Sequence, residues 1–279
     1  KVIVVSTVAK EGAKETIRCL ELGAFDFVTK PESFIEAKGD SFRQRIVQKL
    51  CVAAGFEDEH KISNQVLASK ATEISPSDAM KRNGKVADIK QISALRAGSV
   101  KTEKVPFKRV GPGAKKLIAL ACSTGGPKAL NSLIPMLPKN LNAPMLIVQH
   151  MPEGFTNSLA QRLDELSAIH VKEAEDGEQI QKGVVYLAKG GRQLRLKQSG
   201  KSNLLQVTVE EARNGLKPCA DIMYESLLDC DFDEIICVVL TGMGADGTLG
   251  IRQLNNKKNI YVISQTKETC IVYGMPKVV

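Results

Sequence analysis

No uninterrupted apolar run in the 279 residues approaches the roughly 18 that a membrane-spanning helix needs, so membrane insertion is not expected. A secretory signal is also missing, because Lys1-Val2-Ile3-Val4-Val5 gives way to polar residues too soon. The seven cysteines (19, 51, 122, 219, 230, 237 and 270) form no C-x-x-C pair, and three histidines provide no zinc-ligand spacing. An odd, scattered set of thiols without a signal sequence is the pattern of a reduced, cytoplasmic protein rather than of a disulfide framework. Core-forming material is not scarce. Hydrophobic residues make up 43% and charged residues 25%, which is ordinary globular usage and excludes wholesale disorder. The length allows about two domains. Residue 1 is a lysine and an apolar strand begins at once, so the chain is expected to continue upstream.

The net charge of +8 has one address. Between Lys70 and Lys116 twelve basic residues stand against four acidic ones, an excess that equals the imbalance of the whole chain. The same stretch is rich in Ser, Gly, Ala, Lys and Pro and lacks sustained apolar periodicity. It therefore reads as a flexible basic linker, placed at 57–114. A nucleic-acid arm is the sharper alternative, but aromatic residues are nearly absent there, and no nucleic-acid partner is expected.

Upstream of the linker the pattern predicts a strand over Lys1–Ser6, an amphipathic helix over Lys10–Leu22 capped by Gly23, a strand over Phe25–Thr29 and a helix over about 41–54. Such a run is too small to close a sheet alone and is expected to be the back half of a parallel α/β domain. Val4-Val5-Ser6-Thr7, Cys19-Leu20-Glu21-Leu22-Gly23-Ala24 and Phe27-Val28-Thr29-Lys30-Pro31 together resemble the last third of a response-regulator receiver domain. That resemblance implies that Ser6 senses an aspartyl phosphate and that Lys30 pairs with it. The phosphate-accepting Asp would lie on an earlier strand, and Mg2+ would serve only the phosphorylation of an intact receiver. The bland alternative is that Lys30-Pro31 merely closes a strand.

Downstream, strands are expected over Leu117–Ala121, Met145–Gln149, Ile235–Leu240 and Ile260–Ile263. Helices are expected over Pro127–Leu137, Phe155–Leu166, Ala220–Leu228 and Thr248–Asn255. Shorter strands over Val184–Leu187, Gln193–Leu196 and Leu204–Val209 read as antiparallel candidates. Fully apolar strands alternating with helices predict a doubly wound, mostly parallel α/β sheet covered on both faces, here over 115–279.

In an open parallel sheet reactive groups gather beyond the carboxyl ends of the strands. Three such ends deliver a hydroxyl in Ser123-Thr124-Gly125-Gly126-Pro127, an imidazole in His150-Met151-Pro152 and a carboxylate in Thr241-Gly242-Met243-Gly244-Ala245-Asp246-Gly247. These are the parts of a Ser-His-Asp nucleophilic site. Each has a plainer reading: Ser123 as an N-cap or phosphate cradle, His150 as a structural histidine, Asp246 as a turn former. Neither G-x-x-x-x-G-K-[ST] nor G-x-G-x-x-G is present, so no nucleotide fingerprint supports the cradle. The G-x-S-x-G elbow is missing too. The order Ser123, His150, Asp246 differs from that of α/β-hydrolases and of chymotrypsin-like and subtilisin-like enzymes.

With Gln149-His150-Met151-Pro152, Ala188-Lys189-Gly190-Gly191 and Val272-Tyr273-Gly274-Met275-Pro276 added, the segment from Lys116 to Val279 resembles the chemotaxis protein-glutamate methylesterase (CheB) family. A tethered receiver is that family's arrangement. The resemblance implies hydrolysis of glutamate γ-methyl esters, and deamidation of selected glutamines, on methyl-accepting chemotaxis receptors. It implies Ser123 as nucleophile, His150 as base, Asp246 as its orienting carboxylate, and the backbone N–H groups of Thr124 and Met243 as oxyanion donors. It implies no cofactor for the esterase, and a chemotaxis histidine kinase as phosphodonor to the receiver. Family members continue with a further helix and tail beyond the Gly274-Met275-Pro276 motif. A catalytically silent receptor-binding adaptor of a two-component pathway is the competing reading.

Overall fold

The computed structural model describes residues 1–31, 40–55 and 108–279. The linker expected up to residue 107 lies outside the described residues. Its final residues, 108–114, run against the body of the protein: the Lys108 amide donates to Asn259 Oδ1 at 2.9 Å, and Asn259 Nδ2 returns a bond to the Lys108 carbonyl at 2.8 Å.

The N-terminal part contains β1 (Ile3–Ser6), α1 (Lys10–Glu21), β2 (Asp26–Thr29) and α2 (Asp40–Ala54). β1 and β2 pair in parallel, with Ser6 opposite Thr29. The remainder contains β3 (Lys116–Cys122), α3 (Gly126–Leu133), β4 (Met145–Gln149), α4 (Phe155–Leu166), β5 (His170–Glu173), β6 (Val184–Leu187), β7 (Gln193–Ser199), β8 (Ser202–Thr208), α5 (Ala220–Ser226), β9 (Glu234–Val239), α6 (Thr248–Asn255), β10 (Ile260–Ser264) and α7 (Met275–Val278). Six of these strands form one all-parallel sheet in the order β10-β9-β3-β4-β6-β5. β7 and β8 form a separate antiparallel hairpin, as their sequences led us to expect.

Apart from Lys116, Gln149 and Glu234 at their ends, the central strands are apolar because the sheet is buried on both faces. Alternate residues go to opposite layers. Leu117, Ala119 and Ala121 of β3, with Leu146 and Val148 of β4 and Ile235, Cys237 and Val239 of β9, join one core together with Tyr224 of α5. Leu120 and Cys122, with Met145 and Ile147, join the other together with Phe155 and Leu159 of α4. Ile17 and Leu20 of α1 and Phe27 of β2 belong to this second core, and the Phe27 and Phe155 rings lie 4.7 Å apart. Phe155 is fully buried, so Phe155→Ala is expected to cost about 3–5 kcal/mol, read as a lowered urea midpoint.

The structure departs from expectation at three places. Val184–Leu187 is not antiparallel but sits between β4 and β5 and runs parallel to both. The chain leaves β4 through α4 and β5 and returns to β6, a crossover that keeps all three strands pointing the same way. β5 was not foreseen at all: four residues with only Val171 buried, at the edge of the sheet, carry too little periodicity to signal a strand. The helix expected over Pro127–Leu137 also tightens after Leu133 into a 3-10 turn over Ile134–Met136, where Pro135 has no N–H to continue the α-helical ladder.

Candidate active site

β9, β3 and β4 are neighbours and parallel, so their carboxyl ends open on the same rim of the sheet. Cys122 of β3 is register partner of Gln149 of β4, which places the next residues, Ser123 and His150, side by side at roughly the 4.8 Å strand spacing. The His150 amide donates to the Cys122 carbonyl at 3.2 Å, and the Ser123 amide to the Thr241 carbonyl beyond β9 at 3.0 Å. All three loops are thus joined by backbone bonds before any catalytic side chain is considered.

Of the three reactive side chains, the structure brings two into direct contact. His150 Nε2 lies 2.7 Å from Asp246 Oδ2, with the two side chains only 11% and 5% exposed. The ionised carboxylate accepts a hydrogen bond from Nε2–H, which leaves Nδ1 as the unprotonated ring nitrogen. Among the described residues the Ser123 hydroxyl makes no hydrogen bond to His150. Ser123 stands one residue past the paired strand ends, as does His150. Catalytic hydrogen bonds of this kind are often open before substrate arrives.

Asp246 is held from several sides. Its Oδ2 also accepts the Ala220 amide at 2.6 Å, and its Oδ1 accepts the Asp221 amide at 3.0 Å and the Cys219 thiol at 3.1 Å. Burial by itself would raise this carboxyl. The His150 hydrogen bond and charge, with the Asp221 and Ala220 amides, outweigh it and hold the group at about 2. The Cys219 thiol is pushed up to about 12 by burial and by the adjacent Asp246 charge, so it stays protonated and remains a donor. Cys219 gave no sign in the sequence, since nothing in its spacing relates it to Asp246.

Thr124 follows Ser123, and Met243 follows Gly242, where a Cβ would lie 2.9 Å from Ser123 Cβ. Among the described residues neither amide N–H donates to a protein acceptor. The Thr124 carbonyl instead receives the Thr241 hydroxyl at 2.9 Å, and Thr241 Oγ1 accepts the Ile271 and Val272 amides at 3.1 and 2.9 Å. Gly125, which opens α3, has φ +82°, and a Cβ there would lie 2.7 Å from Ile271 Cβ, so both backbone and space demand glycine. The hydroxyl of Thr124 donates to Asp26 Oδ2 of β2 at 2.7 Å, and Lys49 of α2 pairs with that same oxygen. Asp26, a buried carboxylate between Phe25 and Phe27, was not singled out from sequence; its polarity inside an apolar strand was the available signal.

Ser6 and Lys30 lie at the carboxyl ends of β1 and β2, where the Lys30 amide donates to the Ser6 carbonyl at 2.6 Å. The Ser6 hydroxyl donates to the Gly12 carbonyl at 3.0 Å. Among the described residues no group of three or more His, Cys, Asp or Glu side chains is placed to hold a metal. No helix among them is long and apolar enough to cross a membrane.

Comparison with known proteins identifies the family. A family model described as CheB methylesterase matches residues 118–279. The protein-glutamate methylesterase/protein-glutamine glutaminase of Halalkalibacterium halodurans is 40% identical over 277 residues, covering 99% of this chain and 70% of its own length. The protein of the same name from Bacillus subtilis is 37% identical with the same coverage. The crystal structure of the Thermotoga maritima CheB methylesterase catalytic domain superposes with a TM-score of 0.57 at 43% identity, covering 60% of this chain and 87% of that one. With a mostly parallel α/β domain of that architecture and a family match over more than half its length, this chain belongs to the CheB methylesterase family of hydrolases.

Proposed function

We propose that this chain hydrolyses glutamate γ-methyl esters, and deamidates selected glutamines, on methyl-accepting chemotaxis receptors, with Ser123, His150 and Asp246 as its catalytic residues. The observation that carries this reading is the buried His150–Asp246 pair beside Ser123, at the rim where three parallel strands end. Ser123 Oγ attacks the side-chain carbonyl carbon while its proton passes to His150 Nδ1. The tetrahedral oxyanion takes the Thr124 and Met243 N–H groups, which have no other acceptor among the described residues. His150 then gives the proton to the departing methoxy oxygen, or to the departing amide nitrogen in the glutamine case, and the C–O or C–N bond breaks to release methanol or ammonia and leave an acyl-serine. Water, deprotonated by the same nitrogen, releases glutamate and restores Ser123. Asp246 keeps the other ring proton on Nε2 throughout and stabilises the imidazolium. Methanol release from methylated receptor membranes is the test. Receptor binding without methanol would instead favour the silent adaptor.

The division into a partial receiver over 1–56, a basic linker over 57–114 and a catalytic domain over 115–279 belongs to the same proposal. So does control by phosphate transfer from a chemotaxis histidine kinase to the intact receiver, sensed through Ser6 and Lys30. Two contacts support a restraining role for the N-terminal part: the Thr124–Asp26 hydrogen bond and the Phe27–Phe155 packing. Asp26→Ala frees the Thr124 side chain and is expected to raise the basal esterase rate up to tenfold, equivalent to about 1.4 kcal/mol for one hydrogen bond to a charged group. An unchanged rate would remove this contact from the regulatory scheme.

A further inference from the structure

The geometry points to Gln149 as a positioning residue for hydrolysis, one whose buried carboxamide holds the nucleophile loop and the base loop at a fixed separation. This rests on the roles proposed above for Ser123 and His150.

Gln149 ends β4, is 2% exposed, and is the one polar residue in that strand. Its Nε2 donates to the Ser123 carbonyl at 3.1 Å and to the His150 carbonyl at 3.2 Å. Its Oε1 accepts the Cys122 thiol at 3.0 Å. The orientation of the amide is dictated by chemistry: two carbonyls require the NH2, and a thiol donor requires the oxygen. Burial raises the Cys122 thiol well above its ordinary range, so this donor keeps its proton. Both N–H donors are thus spent on the backbones of the two residues whose side chains exchange the proton.

The space around the amide is cut to fit it. A Cβ at Gly126 would fall 1.8 Å from Gln149 Oε1 and 3.0 Å from Cys122 Sγ. Glycine at this first residue of α3 is therefore explained by the carboxamide beneath it, not by a left-handed backbone. The last backbone bond between the two loops is that from the His150 amide to the Cys122 carbonyl, and the side chain of Gln149 adds a second tie, from the Ser123 carbonyl to the His150 carbonyl. Displacing a reacting pair by about 1 Å can cost roughly 10²-fold, so a small slackening here reaches the chemistry.

Gln149→Met keeps the length and bulk of the side chain and deletes both donors. The expected result is a kcat reduced 10- to 100-fold with KM within twofold of the parent. A matching fall is expected in the rate at which a fluorophosphonate labels Ser123, since that reaction reads nucleophile activation without receptor binding. Gln149→Glu, which turns a second oxygen toward the two carbonyls, should do the same. A folded variant of either kind with kcat and labelling within twofold of the parent would overturn the inference. Loss of fold in both would overturn it as well, because Gln149 would then be a general support of the domain. Ser123→Ala separates the two levels: if that variant still turns over, the nucleophile assignment fails. If it is dead while Gln149→Met is unimpaired, only the positioning role fails.

Discussion

Asp246→Asn is expected to lower kcat about 10⁴-fold while leaving KM nearly unchanged. The carboxylate offers two oxygens to four donors: His150 Nε2 and the Ala220 amide on Oδ2, the Asp221 amide and the Cys219 thiol on Oδ1. An amide has one oxygen, so one of these pairs must face an NH2. If the NH2 turns toward His150, Nε2 becomes an acceptor and the ring proton moves to Nδ1, the nitrogen needed as base. That orientation leaves the Ala220 amide facing a donor and the other leaves the Asp221 amide facing one, so either costs about 1–3 kcal/mol in stability. Steady-state kinetics will separate the two orientations, and a variant within tenfold of the parent would remove Asp246 from the mechanism.

The same residue sets an acid limit. Its carboxyl falls from the ordinary value of 3.8 to about 2 in the folded protein. A carboxyl depressed on folding contributes stability in full above its unfolded value and loses it as pH falls through the folded value. Its contribution, about 2 kcal/mol from a shift of that size, is therefore present above about pH 4 and fades toward pH 2. The stability gap between parent and Asp246→Asn should narrow across that window in urea titrations. A gap independent of pH between 4 and 2 would show that Asp246 gains nothing from its donors.

Ser123→Ala is expected to reduce methanol release by a factor on the order of 10⁶, the scale on which removing a serine nucleophile abolishes acyl transfer. Folding should be unaffected. Ser123 binds its surroundings through its amide, donated to the Thr241 carbonyl, and its carbonyl, which accepts Gly126 N–H and Gln149 Nε2. None of these involves the hydroxyl. The thermal midpoint should therefore stay within about 1–2 °C of the parent, since only a half-buried hydroxyl without a protein partner among the described residues is lost. His150→Ala should be comparably inactive but less stable, because it leaves the Asp246 anion buried with one donor fewer. Full turnover by purified Ser123→Ala would require a different nucleophile.

Much of this was legible before any coordinates. Apolar strands over 117–121, 145–149 and 235–240 declared a sheet buried on both faces, because only such a sheet tolerates runs without polar alternation. Since parallel strands point the same way, the residues immediately after them had to share a rim, and Ser123, His150 and Asp246 could be nominated from position alone. What was not legible arises where spacing carries no information. β5 is too short and too exposed to declare itself, and the direction of β6 depends on a crossover. The choice of Nε2 for Asp246 is a matter of ring orientation, three of the four donors around that carboxylate come from a segment some 25 residues upstream, and the Thr124–Asp26 bond joins residues 98 positions apart.

The amino-acid order by itself determined the type of sheet, the family to which the chain belongs and the three residues proposed for catalysis, because periodicity and strand-end motifs are local properties of the chain. Tertiary structure alone decided which ring nitrogen is left as the base, how Gln149 joins two loops and how the N-terminal part reaches Thr124. Those are long-range hydrogen bonds, set by which side chains folding brings within about 3 Å of one another, and no local pattern encodes them.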